Sequence, residues 1–270
     1  MVAYEDKKAK LIEMIRELRA PAIAYSGGVD SAVITSLSFR LHPHSAVAFF
    51  ITTPYIDPAD KAFAFSEGAR NKWHLEDISP ELFDKKEISH NKRTRCYVCK
   101  KEMLSAIYQR GTAKGCLSFL EGSNSDDAAV FRPGRRAVAE SVFRSPLAEC
   151  DFTKKDVRCL AEELGLASCN KPSKPCLLTR FPYDVPEEIL LSDLERIKTG
   201  EHHLASCFRD NFRLRWVDKD TARVEASLYD RFAFSGKEKE LFADIPFTTV
   251  FFDKEPFQSG SFDRKKGESR

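Results

Sequence analysis

The hexapeptide Ser26-Gly27-Gly28-Val29-Asp30-Ser31 is where the chain most plainly offers chemistry. Gly27 and Gly28 permit a tight turn that brings unblocked backbone N–H groups up to an anion, and Ser26 and Ser31 add hydroxyl donors. The apolar run 22–25 before the loop reads as a buried strand, and 31–41 after it as a helix. That helix points its positive end at the loop, which favours a phosphate. Asp30 is repelled by phosphate unless a cation bridges the two, so it reads as a Mg²⁺ ligand or contact. Two glycines alone would make only a strand-to-helix turn. The whole hexapeptide in its strand–loop–helix setting is more specific, and the absence of a following Gly-Lys-Ser/Thr separates it from a Walker A loop.

Cysteine supplies the second kind of chemistry. Cys96-Tyr-Val-Cys99 sets two thiols close enough to share a metal or cluster, and Arg95, Lys100 and Lys101 favour their thiolate forms. A structural zinc half-site, completed with His90, and a redox couple are open alternatives for this pair. Cys176, between Pro175 and Leu177-Leu178-Thr179-Arg180, is the candidate third thiol; three cysteinates leave one iron of a 4Fe-4S cluster open. Cys116, Cys150, Cys159, Cys169 and Cys207 show no ligand spacing and read as small buried apolar residues.

Elements able to hold these groups follow from periodicity. Helices are expected over 5–19, 31–41, 57–73, 100–114 and 154–164, the last capped by Thr153 and stopped by Gly165. Strands are expected over 22–25, 47–52, 75–78 and 116–120. Their alternation predicts an α/β fold, a doubly wound parallel sheet. The proline-rich loop 170–176 precedes a change of pattern: helix 187–205, strands 212–217 and 221–226, helix 228–242 and strand 247–252. The expected organisation is an α/β domain over 1–183, a small α+β domain over 184–263 for substrate or oligomer contacts, and a charged tail over 264–270.

With 270 residues, 42% of them hydrophobic and 31% charged, the chain has material for a substantial core. Its formal charge of +2 balances 43 basic against 41 acidic residues, which argues against nucleic acid as a partner. The charged start lacks a signal-peptide core and no apolar run is long enough to span a bilayer, so a cytoplasmic protein with reduced cysteines is expected, without membrane association.

The loop resembles the PP-loop of the ATP pyrophosphatase superfamily, whose members cleave ATP between the α- and β-phosphates. Further segments follow in order: 95–100, Glu121-Gly-Ser-Asn-Ser-Asp-Asp127, Phe131-Arg-Pro-Gly134, Ser145-Pro-Leu147 and Pro175-Cys-Leu-Leu-Thr-Arg-Phe-Pro-Tyr183. Together they resemble the LarE family of ATP-dependent sulfur transferases over roughly residues 8–263. The resemblance implies an enzyme that adenylates a carboxylate of pyridinium dicarboxylate mononucleotide and makes a thiocarboxylate, on the way to a nickel-pincer nucleotide. In one branch the cysteine matching Cys176 surrenders its sulfur; in the other, thiols matching Cys96, Cys99 and Cys176 hold a 4Fe-4S cluster carrying an extra sulfide. All three are present, so the cluster branch is the nearer resemblance.

The same resemblance gives roles. Ser26, Gly27, Gly28, Asp30 and Ser31 bind ATP phosphates and Mg²⁺, and Asp126 or Asp127 holds Mg²⁺ or a ribose. Arg132, Arg180, Arg213 and Arg215 face substrate phosphate or carboxylate. Cys176, Asp30 and Arg180 are the catalytic set. Glu201 and Glu225 match metal-binding acids, while a third such position falls near Ala233. Gln258 stands where arginine is commoner, and Leu177-Leu178-Thr179-Arg180 is more apolar than the usual Leu-Ala-Ser-Arg. The implied partners are a small-molecule carboxylate, a sulfide or other sulfur donor, and further copies in a homo-oligomer. A tRNA-thiolating enzyme, an ammonia-dependent amide synthetase and a non-enzymatic nucleotide-binding Fe-S scaffold are the alternatives; the first wants a basic face and the second has no use for three cysteines.

Overall fold

The structure is a computed structural model, and it describes residues 3–129, 134–172 and 174–258. The chain divides into two compact units, one formed by residues 1–88 and 93–174, the other by residues 89–92 and 175–270. The first contains α1 (Tyr4–Arg16), β1 (Pro21–Ala24), α2 (Val29–Leu41), β2 (Val47–Ile51), α3 (Pro58–Arg70), β3 (Leu75–Ile78), α4 (Lys86–Ser89, whose last residue belongs to the second unit), α5 (Arg95–Ala113), β4 (Ser118–Leu120), α6 (Gly134–Ala139), α7 (Pro146–Glu149) and α8 (Lys154–Glu163). The second contains α9 (Leu191–Cys207), β5 (Arg213–Trp216), β6 (Thr221–Glu225), α10 (Leu228–Ala233), α11 (Glu238–Leu241) and β7 (Thr249–Phe252).

In the first unit the strands form one sheet in the order β3-β2-β1-β4, every pair parallel. Alternate side chains leave opposite faces of a strand. Ile23, Tyr25, Ala48 and Phe50 enter a core with Leu11, Ile15, Val33, Leu37 and Leu160 from α1, α2 and α8. Ala22, Val47, Phe49 and Ile51 enter the other, with Leu104 and Ile107 of α5 and Phe143. Both faces are therefore covered by helices, which explains the nearly unbroken apolar reading of β1 and β2 and bears out the α/β expectation. Sequence-adjacent connections leave β1 toward β2 on one side, while β4 joins on the other. The order reverses between β1 and β4, the place where open parallel sheets offer a crevice at their carboxyl ends.

In the second unit β5 and β6 are antiparallel, β6 and β7 parallel. Three expected elements differ most, one being the helix expected over 187–205, which runs over Leu191–Cys207 as α9. Helix α5 starts at Arg95 rather than at 100, so Cys96 and Cys99 lie in its first turns; packing against α6 and the sheet overrides the weak helix propensity of Cys-Tyr-Val. The expected helix 228–242 is two short helices separated by a turn. Among the described residues no helix is long and apolar enough to cross a membrane.

Candidate active site

The loop after β1 is tied into a closed knot by its own groups. Ser31 Oγ accepts from the Ser26 backbone N–H at 3.1 Å, donates to the Gly28 carbonyl at 3.0 Å and lies 3.1 Å from Ser26 Oγ. Gly27 has φ +72°, and a Cβ there would stand 2.8 Å from Ala64 Cβ of α3, so both conformation and space require glycine. Gly28 is the N-cap of α2 and supplies no side-chain cap, which leaves the first-turn amides suited to an anion.

A second loop, following β4, closes the crevice from the other side of the reversal. Gly122 runs so close to α2 that a Cβ would lie 2.8 Å from the Ser31 nitrogen and 3.1 Å from the Asp30 carbonyl carbon. Asn124 Nδ2 donates to Asp30 Oδ1 at 2.8 Å, and Asp127 Oδ2 accepts from the Asn124 N–H at 3.1 Å. Asp30 Oδ2 takes the Lys154 ammonium at 2.5 Å. Glu121 is buried, receives the Ser145 hydroxyl (2.5 Å) and the Ser123 N–H (2.9 Å), and pairs with Lys100 at 3.2 Å. Behind β1, buried Glu67 accepts from the Tyr25 hydroxyl (2.8 Å) and the Ser168 N–H (2.9 Å), locking the strand end to α3 and to the turn before Lys171. Lys171 in turn places its ammonium 3.3 Å from the Gly27 carbonyl and 3.0 Å from Asp60.

Cys96 and Cys99, three residues apart on α5, share one helix face. The Cys99 sulfur lies 3.1 Å from the Tyr55 hydroxyl, and the adjacent Lys100 reaches Glu121. Two thiols on one turn suit two ligand positions of a metal or cluster. Among the described residues, no group of three or more His, Cys, Asp or Glu side chains is gathered to hold a metal ion. Of the five cysteines expected to be buried, Cys116 and Cys150 are, and burial pushes their pKa values up, whereas Cys159 is exposed and Cys169 and Cys207 are half-buried.

Cys176 belongs to the second unit, at the start of a 3-10 turn over Leu177–Arg180. Its carbonyl accepts from the Thr179 hydroxyl (2.7 Å) and N–H (3.0 Å). Arg180, 3% exposed, grips both oxygens of Glu201 on α9 at 2.8 and 2.9 Å and donates to the Pro175 carbonyl at 3.1 Å. Arg215 on β5 donates to the Thr179 carbonyl and, at 2.7 Å, to Glu225 on β6. Glu201 and Glu225, matched by resemblance to metal-binding acids, here hold these two arginines. Arg213 has neither for a close partner; its guanidinium lies 5.0 Å from the Phe257 ring centre, and burial together with Arg180 and Arg215 pushes its pKa down to about 10. It remains a cation at neutral pH, and its surroundings favour an incoming anion.

Similarity to known proteins extends over almost the whole chain. The pyridinium-3,5-bisthiocarboxylic acid mononucleotide synthase of Lactiplantibacillus plantarum is 28% identical over 268 residues, covering 96% of this chain and 95% of that protein. An uncharacterized protein of Synechocystis sp. is 32% identical over 270 residues, covering 96% and 98%. The chain belongs to one family with this Synechocystis protein, and it is similar along nearly its whole length to the synthase. Another relative, an uncharacterized protein of Methanocaldococcus jannaschii, is 32% identical over 241 residues, 88% of this chain and 90% of its own. No profile of a known protein family matches the chain.

In the structure the loop residues Ser26–Ser31 gather with Asn124 and Lys154, and Arg180, Arg213 and Arg215 gather around the turn that Cys176 opens. Arg132 lies outside the described residues. Lys154, Asn124, Glu67 and Lys171 were not singled out by sequence reasoning. Lys154 reads there only as the first residue after the Thr153 cap, and its partner is 124 positions away.

Proposed function

We propose that the chain is an ATP-dependent sulfur transferase. It adenylates a carboxylate of a pyridinium mononucleotide and replaces the activated oxygen with sulfur. The observation that carries this reading is the Ser26–Ser31 knot at the β1/β4 reversal, in a chain that also presents Cys176 on an arginine-braced turn. The near full-length similarity to a protein named as a synthase of the bisthiocarboxylic mononucleotide supports the choice of substrate.

In the first step a substrate carboxylate oxygen attacks the α-phosphorus of ATP, the α–β phosphoanhydride bond breaks, and pyrophosphate leaves. The loop amides and the hydroxyls of Ser26 and Ser31 stabilise the charge gathering on the departing pyrophosphate, and Asp30 would hold the Mg²⁺ that accompanies ATP. Arg213 receives the substrate's phosphate or second carboxylate. In the second step a sulfur nucleophile attacks the acyl carbon and AMP leaves with the former carboxylate oxygen, a far better leaving group than hydroxide.

For the sulfur source, the family resemblance points to a 4Fe-4S cluster, to which Cys96 and Cys99 on α5 would supply two thiolates and Cys176 a third; three thiolates would leave one iron open to an additional sulfide. The chain's own part is to supply those thiols and to fasten the Cys176 turn.

ATP with pyridinium-3,5-dicarboxylate mononucleotide should yield pyrophosphate, with AMP released only as sulfur is delivered to the acyl carbon; no pyrophosphate from this pair defeats the adenylation step. Anaerobically purified protein should contain iron and acid-labile sulfide, lost in each of C96A, C99A and C176A and kept in C116A. Intact mass distinguishes the routes: Cys176 that has lost the elements of H₂S after turnover marks it as the sacrificial donor instead.

A further inference from the structure

The Ser26–Ser31 loop contains no lysine, yet an ammonium stands at its acidic residue. Lys154 Nζ is 2.5 Å from Asp30 Oδ2, while Asn124 fills Oδ1 at 2.8 Å, so both carboxylate oxygens already have donors. The lysine's backbone is fixed. Its N–H donates to Asp126 Oδ2 at 2.7 Å, Thr153 and Asp156 form a capping box beneath it, and Lys7 pairs with Asp156 at 2.9 Å. Only its side chain, 40% exposed, has room to swing.

A divalent cation on Asp30 cannot share that oxygen with an ammonium. The two positive centres would stand at roughly 4 Å, where repulsion is several kcal/mol near a protein surface. With Lys154 in place the pair carries no net charge, so a bare divalent ion finds little attraction. ATP brings excess negative charge on phosphates beside the same loop, and that gives the displaced ammonium a new partner.

We infer that Lys154 is the resident counter-cation of Asp30, that it competes with the divalent metal for this carboxylate, and that it moves onto a nucleotide phosphate when metal and nucleotide arrive together. The inference rests on the ATP-binding reading of the loop. Its consequence is linkage: nucleotide raises metal affinity, and metal raises nucleotide affinity by the same factor. Lys171 lacks this role, because its ion-pair partner is Asp60 on α3 rather than the loop carboxylate.

The test is Mn²⁺ binding to the full chain, followed by electron paramagnetic resonance, with and without a non-hydrolysable ATP analogue. Without nucleotide, K154M should bind Mn²⁺ about twofold to fivefold more tightly than wild type, the range expected for removing a partly exposed ion-pair partner. K154R and the exposed neighbour variant K155M should match wild type. The gain should vanish in D30N/K154M. With the analogue, wild type should bind Mn²⁺ more tightly than alone, and K154M should show a smaller increase. Equal nucleotide-free affinity in wild type and K154M overturns the inference, as does a gain that survives D30N. Failure of wild type to bind the analogue defeats the ATP reading instead, and the nucleotide-free comparison still decides the competition.

Discussion

Glu121 is buried beside the Lys100 ammonium, the Ser145 hydroxyl and the Ser123 amide. Burial alone raises its pKa, but these three partners outweigh burial and hold it below the usual carboxylate range. A carboxylate depressed on folding contributes stability that is full above its unfolded pKa, about 4.3, and lost as pH falls through the lower folded value. Urea unfolding of E121Q should therefore lie furthest below wild type near neutral pH, and the gap should close in acid below the ordinary carboxylate pKa. An undiminished gap there contradicts this account. The Arg180–Glu201 pair predicts a larger loss. E201Q strands a guanidinium that is 3% exposed, at a cost of about 3–5 kcal/mol. Denaturant unfolding measures it, and a loss under 1 kcal/mol would show that Arg180 finds other partners. Such pairs are where sequence reading stopped short. Arg180 and Glu201 both attract notice as charged residues, but nothing in their spacing says that they neutralise each other rather than a ligand.

Helices and strands were far more legible, because burial on both faces imposes a pattern that local sequence must obey. β1, β2 and β3 lie within a residue of their expected positions, and the loop between β1 and α2 follows from that placement. The start of α5 was hidden, since residues 95–99 are held helical by packing and not by propensity. The approach of the β4 loop to α2 was equally hidden: a glycine in a polar stretch reads as a turn, whereas Gly122 is required by the backbone of Ser31. G122A should force these segments apart, costing roughly 1–3 kcal/mol. It should also weaken binding of an ATP analogue, measured by calorimetry, while G115A, whose Cβ meets nothing within 4 Å but whose φ of +81° strains any side chain, should lower stability and leave analogue binding as in wild type.

Across the whole molecule, the Ser26–Ser31 loop belongs to one compact unit and the arginine-braced turn to the other. The assignments therefore predict a double dissociation. An ATP analogue should raise the melting temperature of wild type and R213A alike, by mass action, and should fail to raise that of G27A. Substrate mononucleotide should stabilise wild type and G27A but not R213A. A loss of both shifts in either variant would break the division of labour. The expected boundary at 183/184 was drawn where proline-rich sequence gives way to helix, but the compact units divide at 174/175, because the 3-10 turn after Cys176 is fastened to α9 and β5. The four-residue segment 89–92 also belongs to the second unit. Its Asn91, wholly buried, donates to the carbonyls of Leu178, Phe181 and Pro182 at 2.9–3.1 Å. The polypeptide thus passes between units at three points in its length, so neither unit is a contiguous gene fragment. A chimaera that exchanged only the C-terminal hundred residues between relatives would inherit a foreign anchor at 89–92. Successful recombination must carry that short upstream segment along with the distal part, and natural drift in one must be matched in the other.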